Sequence, residues 1–170
     1  TKKAHLYGKD IREVYIDLPP GECTEGMCGK PNYTLYGNRD AGHNWEKEYT
    51  GTLLDMGFNV GKSTTCVFRH EQRNIDIVVH GDDFIILGTG WDIQWVRNLL
   101  AAKYELKMRG VMGSPLNPGC TKEIVVLNRI VRWGGDGIVY EADPRHAEII
   151  ISELGSKGSK AVATPGVKCS

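Results

Sequence analysis

Two aspartates, Asp82 and Asp83, stand side by side between two apolar runs, Ile75–His80 and Phe84–Leu87. Carboxylates placed beside a core cost several kcal/mol unless something cationic compensates them. A basic side chain, water or a divalent ion can do so. Hard oxygen donors on a tight turn suit Mg²⁺, which binds through one or two carboxylates together with substrate phosphates. Two such ions about 3.5 to 4 Å apart can activate a 3′-hydroxyl and stabilise a leaving pyrophosphate, which is the chemistry of nucleotidyl transfer. A protein of that kind supplies positioning and charge rather than covalent catalysis. The plainer alternative is a polar hairpin turn, because acids favour turns.

The elements that must hold this pair follow from hydrophobic spacing. The β-branched runs on either side of Gly81-Asp82-Asp83 predict a β-hairpin over 75–88. Upstream, Trp45, Tyr49, Leu53 and Met56 recur at helical spacing, with Gly57 as the stop. Downstream, Ile93, Val96, Leu100 and Tyr104 predict a second helix, with Thr89 and Asp92 placed to cap it. The segments Ile124–Trp133 and Ile138–Glu141 read as two strands joined through Gly134-Gly135-Asp136-Gly137. Asp143 as N-cap, Pro144, the Ile149-Ile150 pair, Leu154 and Gly155 sign a short final helix. The sum is a mixed α+β domain over residues 1–154, an antiparallel sheet with packed helices. Residues 155–170 read as a flexible connection, opening with Gly155-Ser156-Lys157-Gly158-Ser159-Lys160.

Composition sets the outer bounds. The chain has 170 residues, 41% apolar and 25% charged, enough for one ordinary core and not biased toward disorder. Its 21 basic and 21 acidic side chains cancel, so any polyanion site must be a local patch. No apolar stretch approaches the roughly 18 to 20 residues needed to cross a bilayer. An intracellular protein is the expectation, with no membrane partner. Five cysteines, Cys23, Cys28, Cys66, Cys120 and Cys169, lie at irregular spacings that argue against a disulfide framework and against structural zinc. The chain opens at Thr1 without Met and in mid-pattern, as a piece of a longer protein would.

Several segments, in order, resemble the reverse transcriptase region of copia-type LTR retrotransposon polyproteins. Val79-His80-Gly81-Asp82-Asp83-Phe84-Ile85-Ile86-Leu87-Gly88 is similar to that signature of apolar run, Tyr-Xaa-Asp-Asp, apolar run and Gly. Ala4-His5-Leu6-Tyr7-Gly8, then Glu13-Val14-Tyr15-Ile16 and Pro20-Gly21, resemble the family's Ala-Phe-Leu-Asn-Gly, Glu-Val-Tyr-Met and Pro-Glu-Gly segment. Leu35-Tyr36-Gly37-Asn38-Arg39-Asp40-Ala41-Gly42-His43-Asn44-Trp45 resembles Leu-Tyr-Gly-Leu-Lys-Gln-Ala-Pro-Arg-Ala-Trp, the most characteristic motif of the group. Gly57-Phe58, Lys62-Ser63, Cys66-Val67-Phe68 and Tyr104-Glu105-Leu106-Lys107-Met108 continue the order, and Thr164-Pro165 fits the boundary toward an RNase H region.

The resemblance implies a polymerase palm acting as an RNA-directed DNA polymerase. Asp82 and Asp83 would be its metal-binding carboxylates, with two Mg²⁺ ions as cofactors. Gly37 and Arg39 would lie beside the incoming nucleotide or template. Lys107 matches a palm lysine facing pyrophosphate, although a solvated surface lysine is an equal reading. Leu127-Asn128-Arg129-Ile130 would occupy the place of a primer-gripping hairpin, and Trp133 reads as core rather than as a base-stacking platform. The partners implied are an RNA template, a DNA primer, deoxynucleoside triphosphates and the rest of the polyprotein, integrase and RNase H, in a cytoplasmic particle or the nucleus.

Departures accompany the likeness. The family's first catalytic aspartate falls immediately before Thr1, so the 170 residues alone are expected to bind Mg²⁺ weakly and polymerise little. Asp10 and Asp17 sit off the matching position and read as surface or turn acids. His80 replaces the usual Tyr, Asp40 and Gly42 replace Gln and Pro, and His43 replaces Arg. Strand alternation favours packing over metal ligation for His80. Gly57 to Thr64 imitates a phosphate-binding P-loop but has three residues between its glycines where four are needed, and follows a helix. Two other readings stand beside the main one. Gly81-Asp82-Asp83 also resembles the palm hairpin of viral RNA-dependent RNA polymerases, against which Leu35–Trp45 weighs. A decayed or repurposed palm, kept as a binding module, is the non-enzymatic reading.

Overall fold

Trp45, Tyr49 and Leu53 fall four residues apart, which on a helix brings them to one side. In a computed structural model of the chain that helix, α1, runs Ala41–Asp55, and all three are buried. The residues described are 1–22, 26–114, 116–141 and 144–160. The chain divides into two compact units, Thr1–Lys107 and Met108–Ser170.

The first unit opens with a 3₁₀ turn, Ala4–Tyr7, followed by irregular chain up to α1. At its far end α1 closes with a Schellman motif. Gly57 N–H donates to Leu54 C=O at 2.9 Å and Phe58 N–H to Leu53 C=O at 3.0 Å. Gly57 takes φ of 88°, and a Cβ there would stand 3.2 Å from His70 Nε2, so both the backbone and the space call for glycine. Four antiparallel strands follow: β1 (Asn59–Val60), β2 (Val67–His70), β3 (Ile75–His80) and β4 (Asp83–Leu87), paired in that order. The two-residue period puts Phe68, Ile75, Ile77 and Val79 on the buried face, where α1 and α2 (Gly90–Ala101) supply the opposing layer. Each large apolar side chain so buried contributes about 1.5 to 3 kcal/mol. Thr89 caps α2 by accepting from Asp92 N–H at 3.3 Å, as its position before the apolar stripe predicts. Val96 and Leu100 are buried, but the helix ends at Ala101 and Tyr104 completes the stripe from the turn beyond.

The second unit is a three-stranded antiparallel sheet, β5 (Glu123–Val126), β6 (Arg129–Gly134) and β7 (Gly137–Glu141), and a helix, α3 (Arg145–Glu153). The single strand expected over Ile124–Trp133 is two strands. Leu127 and Asn128 adopt φ of 50° and 61°, the left-handed pair of a two-residue hairpin turn. The hairpin expected through Gly134–Gly137 is present as β6 and β7. Trp133, expected in a core, is 43% exposed. Among the described residues every buried apolar side chain belongs to the first unit, so a single layer of strands leaves the indole uncovered. Asp143 and Thr164-Pro165 lie outside the described residues, as do Cys23 and Cys169. Among the described residues no helix is long and apolar enough to cross a membrane.

Among the described residues the architecture is α+β with antiparallel sheets and three α-helices, compatible with a palm-like fragment.

Candidate active site

The register of β3 on β4 decides where the two acids sit. His80 pairs with Asp83, which leaves Gly81-Asp82 as a two-residue turn. Gly81 has φ of 57°, the conformation that the first position of a type II′ turn reserves for glycine. Asp82 is exposed at the tip and Asp83, the first residue of β4, is half-buried.

Both turn carbonyls are held. The indole N–H of Trp45, a residue 2% exposed, donates to Gly81 C=O at 2.8 Å. On the other side the Thr1 amine donates to Asp82 C=O at 2.5 Å. The Trp45 ring is itself fixed by edge-on contacts to Tyr49, Phe84 and Tyr104, with centroids 5.5, 6.2 and 5.2 Å away. An acidic turn is thereby fastened to the core by one hydrogen bond and one aromatic cluster. Sequence periodicity assigns Trp45 to the core and is silent on this second role, because helical spacing specifies a face and not what a donor reaches.

His80 requires a correction. It is exposed rather than packed, and as the cross-strand partner of Asp83 it shares that residue's sheet face. The core face at this end is taken by Val79 and Phe84. Of the other acids considered, Asp17 is exposed, whereas Asp10 is half-buried with Oδ2 shielded from solvent.

The segment carrying Lys107 comes close to the same place through the first residues of the chain. Lys2 N–H donates to Glu105 C=O at 2.8 Å, and Glu105 N–H donates to the Tyr7 hydroxyl at 2.9 Å. The Lys2 ammonium and Glu105 carboxylate meet at 2.6 Å; their hydrogen bond raises the lysine pKa and lowers that of the acid. Lys107 follows two residues on, exposed, at the end of the first unit. Beneath this segment the Tyr104 hydroxyl is buried 2.6 Å from Thr52 Oγ1 and 3.3 Å from Glu48 Oε1, and burial drives its pKa far above the ordinary phenol range.

Gly37 and Arg39 lie in the turns just before α1, both exposed, and Gly37 has φ of 95°. They stand a few residues before the helix that reaches the acidic turn. Their link to it is α1, which starts at Ala41 and delivers Trp45 to Gly81. Beside them Arg12 pairs with Asp40. Gly57–Thr64, the P-loop imitation, does follow a helix.

Chemically, Asp82 and Asp83 present acceptor-only oxygens at a turn braced from two sides, a donor type that suits a hard divalent cation. Among the described residues no group of three or more His, Cys, Asp or Glu is arranged to hold an ion. No solved structure matches the chain. The family model described as reverse transcriptase (RNA-dependent DNA polymerase) matches residues 1–119, a span that includes α1, the acidic hairpin and α2. With its acidic turn bonded to the helix that the Leu35–Trp45 motif begins, and with most of its length matched, the chain belongs to the reverse transcriptase family.

Proposed function

We propose that the chain is the palm region of a copia-type retrotransposon reverse transcriptase, and that Asp82 and Asp83 are two of the three carboxylates of a Mg²⁺-dependent nucleotidyl-transfer centre. The observation that carries this is the bond from Trp45 to Gly81, which joins the last residue of the copia-like motif to the turn bearing the acids. Bound Mg²⁺ would supply activation of the primer 3′-hydroxyl and neutralisation of phosphate charge. The residues of this chain do the positioning: Trp45 and the β3–β4 register fix the turn, and the turn presents the carboxylates on one end of the sheet. Gly37 and Arg39 are proposed to border the incoming nucleotide or template, and Lys107 the pyrophosphate. The third carboxylate is assigned to a residue upstream of Thr1, on the family likeness of Ala4-His5-Leu6-Tyr7-Gly8. The substrates are an RNA template, a DNA primer and deoxynucleoside triphosphates, within a polyprotein that also carries integrase and RNase H, in a cytoplasmic particle or the nucleus.

Primer extension on an RNA template is the test. The 170-residue chain should give little or no product, and a chain lengthened upstream to restore that aspartate should extend the primer. Equal, robust extension by both would defeat the assignment of the missing carboxylate. In the lengthened chain Asp82→Asn with Asp83→Asn should abolish extension with the circular dichroism spectrum unchanged; undiminished extension removes the proposed role of the pair.

A further inference from the structure

The second unit has strands and a helix but no core of its own: among the described residues no large apolar side chain beyond Lys107 is buried. Its sheet has two faces of different character. On one, Arg132 bonds to both Glu123 and Glu141, at 2.5 Å in the case of Glu123, so the acids of the strands are engaged there. The registers and the two-residue period place Ile124, Val126, Val131, Trp133, Ile138 and Tyr140 together on the other, with the last three exposed. Arg129 shares that apolar face at one end, and Lys122 adjoins it at the other, its carbonyl accepting from the Trp133 backbone N–H at 2.7 Å. The helix α3 carries a surface of the same kind. Ala147, Ile150, Ile151 and Leu154 recur at helical spacing along one side and are all exposed, with Glu148 and Glu153 bordering the stripe on either hand. No residue of α3 is buried, so the helix does not cover the sheet of its own chain.

We infer that the second unit is a dimerisation surface, on which α3 of each of two copies of this chain lies across the apolar sheet face of the other. A three-stranded antiparallel sheet gains independent stability by burying one face, and a helix with an apolar stripe is a regular opposing layer. A twofold axis makes the one contact occur twice, with the same patch used by both copies. The dimensions agree: the nine residues of α3 span about 14 Å, and strands of four to six residues run about 13 to 20 Å. The charges agree as well, since Glu148 and Glu153 beside the stripe meet a face whose charged neighbours are Arg129 and Lys122, the sheet's own acids being held by Arg132 on the far side. Three strands about 4.8 Å apart and about five residues long give a face of about 15 by 17 Å, so two helix-on-sheet contacts remove about 1,000 Å² in all. That lies at the lower limit of specific interfaces, which sets the dimer as a reversible one of micromolar affinity.

The test is sedimentation equilibrium of the full 170-residue chain from about 1 to 300 µM, a range that spans micromolar dissociation constants. The wild-type chain should pass from monomer to dimer. Ile138→Thr on the sheet and Ile150→Gln on α3 keep strand and helix preference and replace side chains that are exposed in the single copy, so circular dichroism should be unchanged. Each should weaken the dimer about 10- to 100-fold, because a twofold axis counts every change twice. Arg129→Glu should weaken it too, and adding Glu148→Lys with Glu153→Lys to that variant should regain most of the loss. Leu87→Lys, on the sheet of the first unit, should leave the dimer as it is. A wild-type chain that stays monomeric at 300 µM would overturn the inference. So would a dimer that either isoleucine variant leaves intact, one that Leu87→Lys dissociates, or a charge exchange that regains nothing, since α3 would then not be what covers this face.

Discussion

Trp45→Phe probes the fastening of the acidic turn most directly, since it keeps an aromatic ring in the core and removes the indole N–H that donates to Gly81. Two losses add. Gly81 is exposed, so water can take the place of the lost donor and the bond contributes about 0.5 to 1.5 kcal/mol net. The smaller ring also gives up part of a fully buried surface and its edge-on contacts to Tyr49, Phe84 and Tyr104, for about 1 kcal/mol more. The expected destabilisation of the first unit is about 1.5 to 2.5 kcal/mol. With a urea m-value of about 2 kcal/mol/M, the far-UV circular dichroism midpoint should fall by about 0.7 to 1.3 M. Hydrogen exchange supplies the local readout: amides of β3 and β4 next to the turn should speed up more than those of α2. A midpoint within about 0.3 M of wild type, or uniform acceleration across α2 and the hairpin, would show that the indole bond does not secure the turn.

Three further substitutions test other parts of the fold. Burial raises the pKa of Tyr104, and also that of Tyr49, above the unfolded value near 10, so stability is complete below that pH and declines as the pH rises past it. Tyr104→Phe should flatten part of that alkaline decline in urea melts collected from pH 8 to 11, and an unaltered slope would refute the assignment. Thr89→Ala should cost about 1 kcal/mol by removing the cap of α2, seen as a lower melting temperature, whereas Thr89→Ser should recover most of it. Leu127→Asn should stabilise the second unit by about 0.5 to 1 kcal/mol, because asparagine tolerates the left-handed backbone that leucine is made to adopt; an unchanged or lower melting point would contradict this.

The hairpin at 75–88 is legible because β-branched runs, a glycine and two acids all favour one structure, with local preference and tertiary packing in agreement. The first two helices are legible for the same reason: their apolar stripes coincide with the buried faces of Trp45, Tyr49, Leu53, Val96 and Leu100. The break at Leu127-Asn128 is not legible from spacing, since Val125-Val126-Leu127 reads as uninterrupted strand and leucine is no turn signal; only the likeness to a primer-gripping hairpin over 127–130 points to it. Trp133 misleads because burial of an indole depends on a second layer, which spacing along one segment does not report. His80 misleads because alternation counted along a single strand does not say which face its cross-strand partner occupies. Asp82 and Asp83 stand out as residues, yet the donor that braces their turn lies 36 positions away. The roles of Gly37, Arg39 and Lys107 rest on family likeness alone, because exposed residues in irregular chain carry no periodic signature.

β4 is the outermost strand of its sheet, paired only with β3 among the described residues. From Phe84 to Leu87 it carries no charge, no proline and no bulge, the features by which edge strands usually repel a neighbour, and Leu87 is exposed. Its outer row of amides and carbonyls is a template along which a strand from another chain can align. A second strand aligned there would lengthen the sheet by one, and a lysine at Ile85 or Leu87 would oppose that pairing.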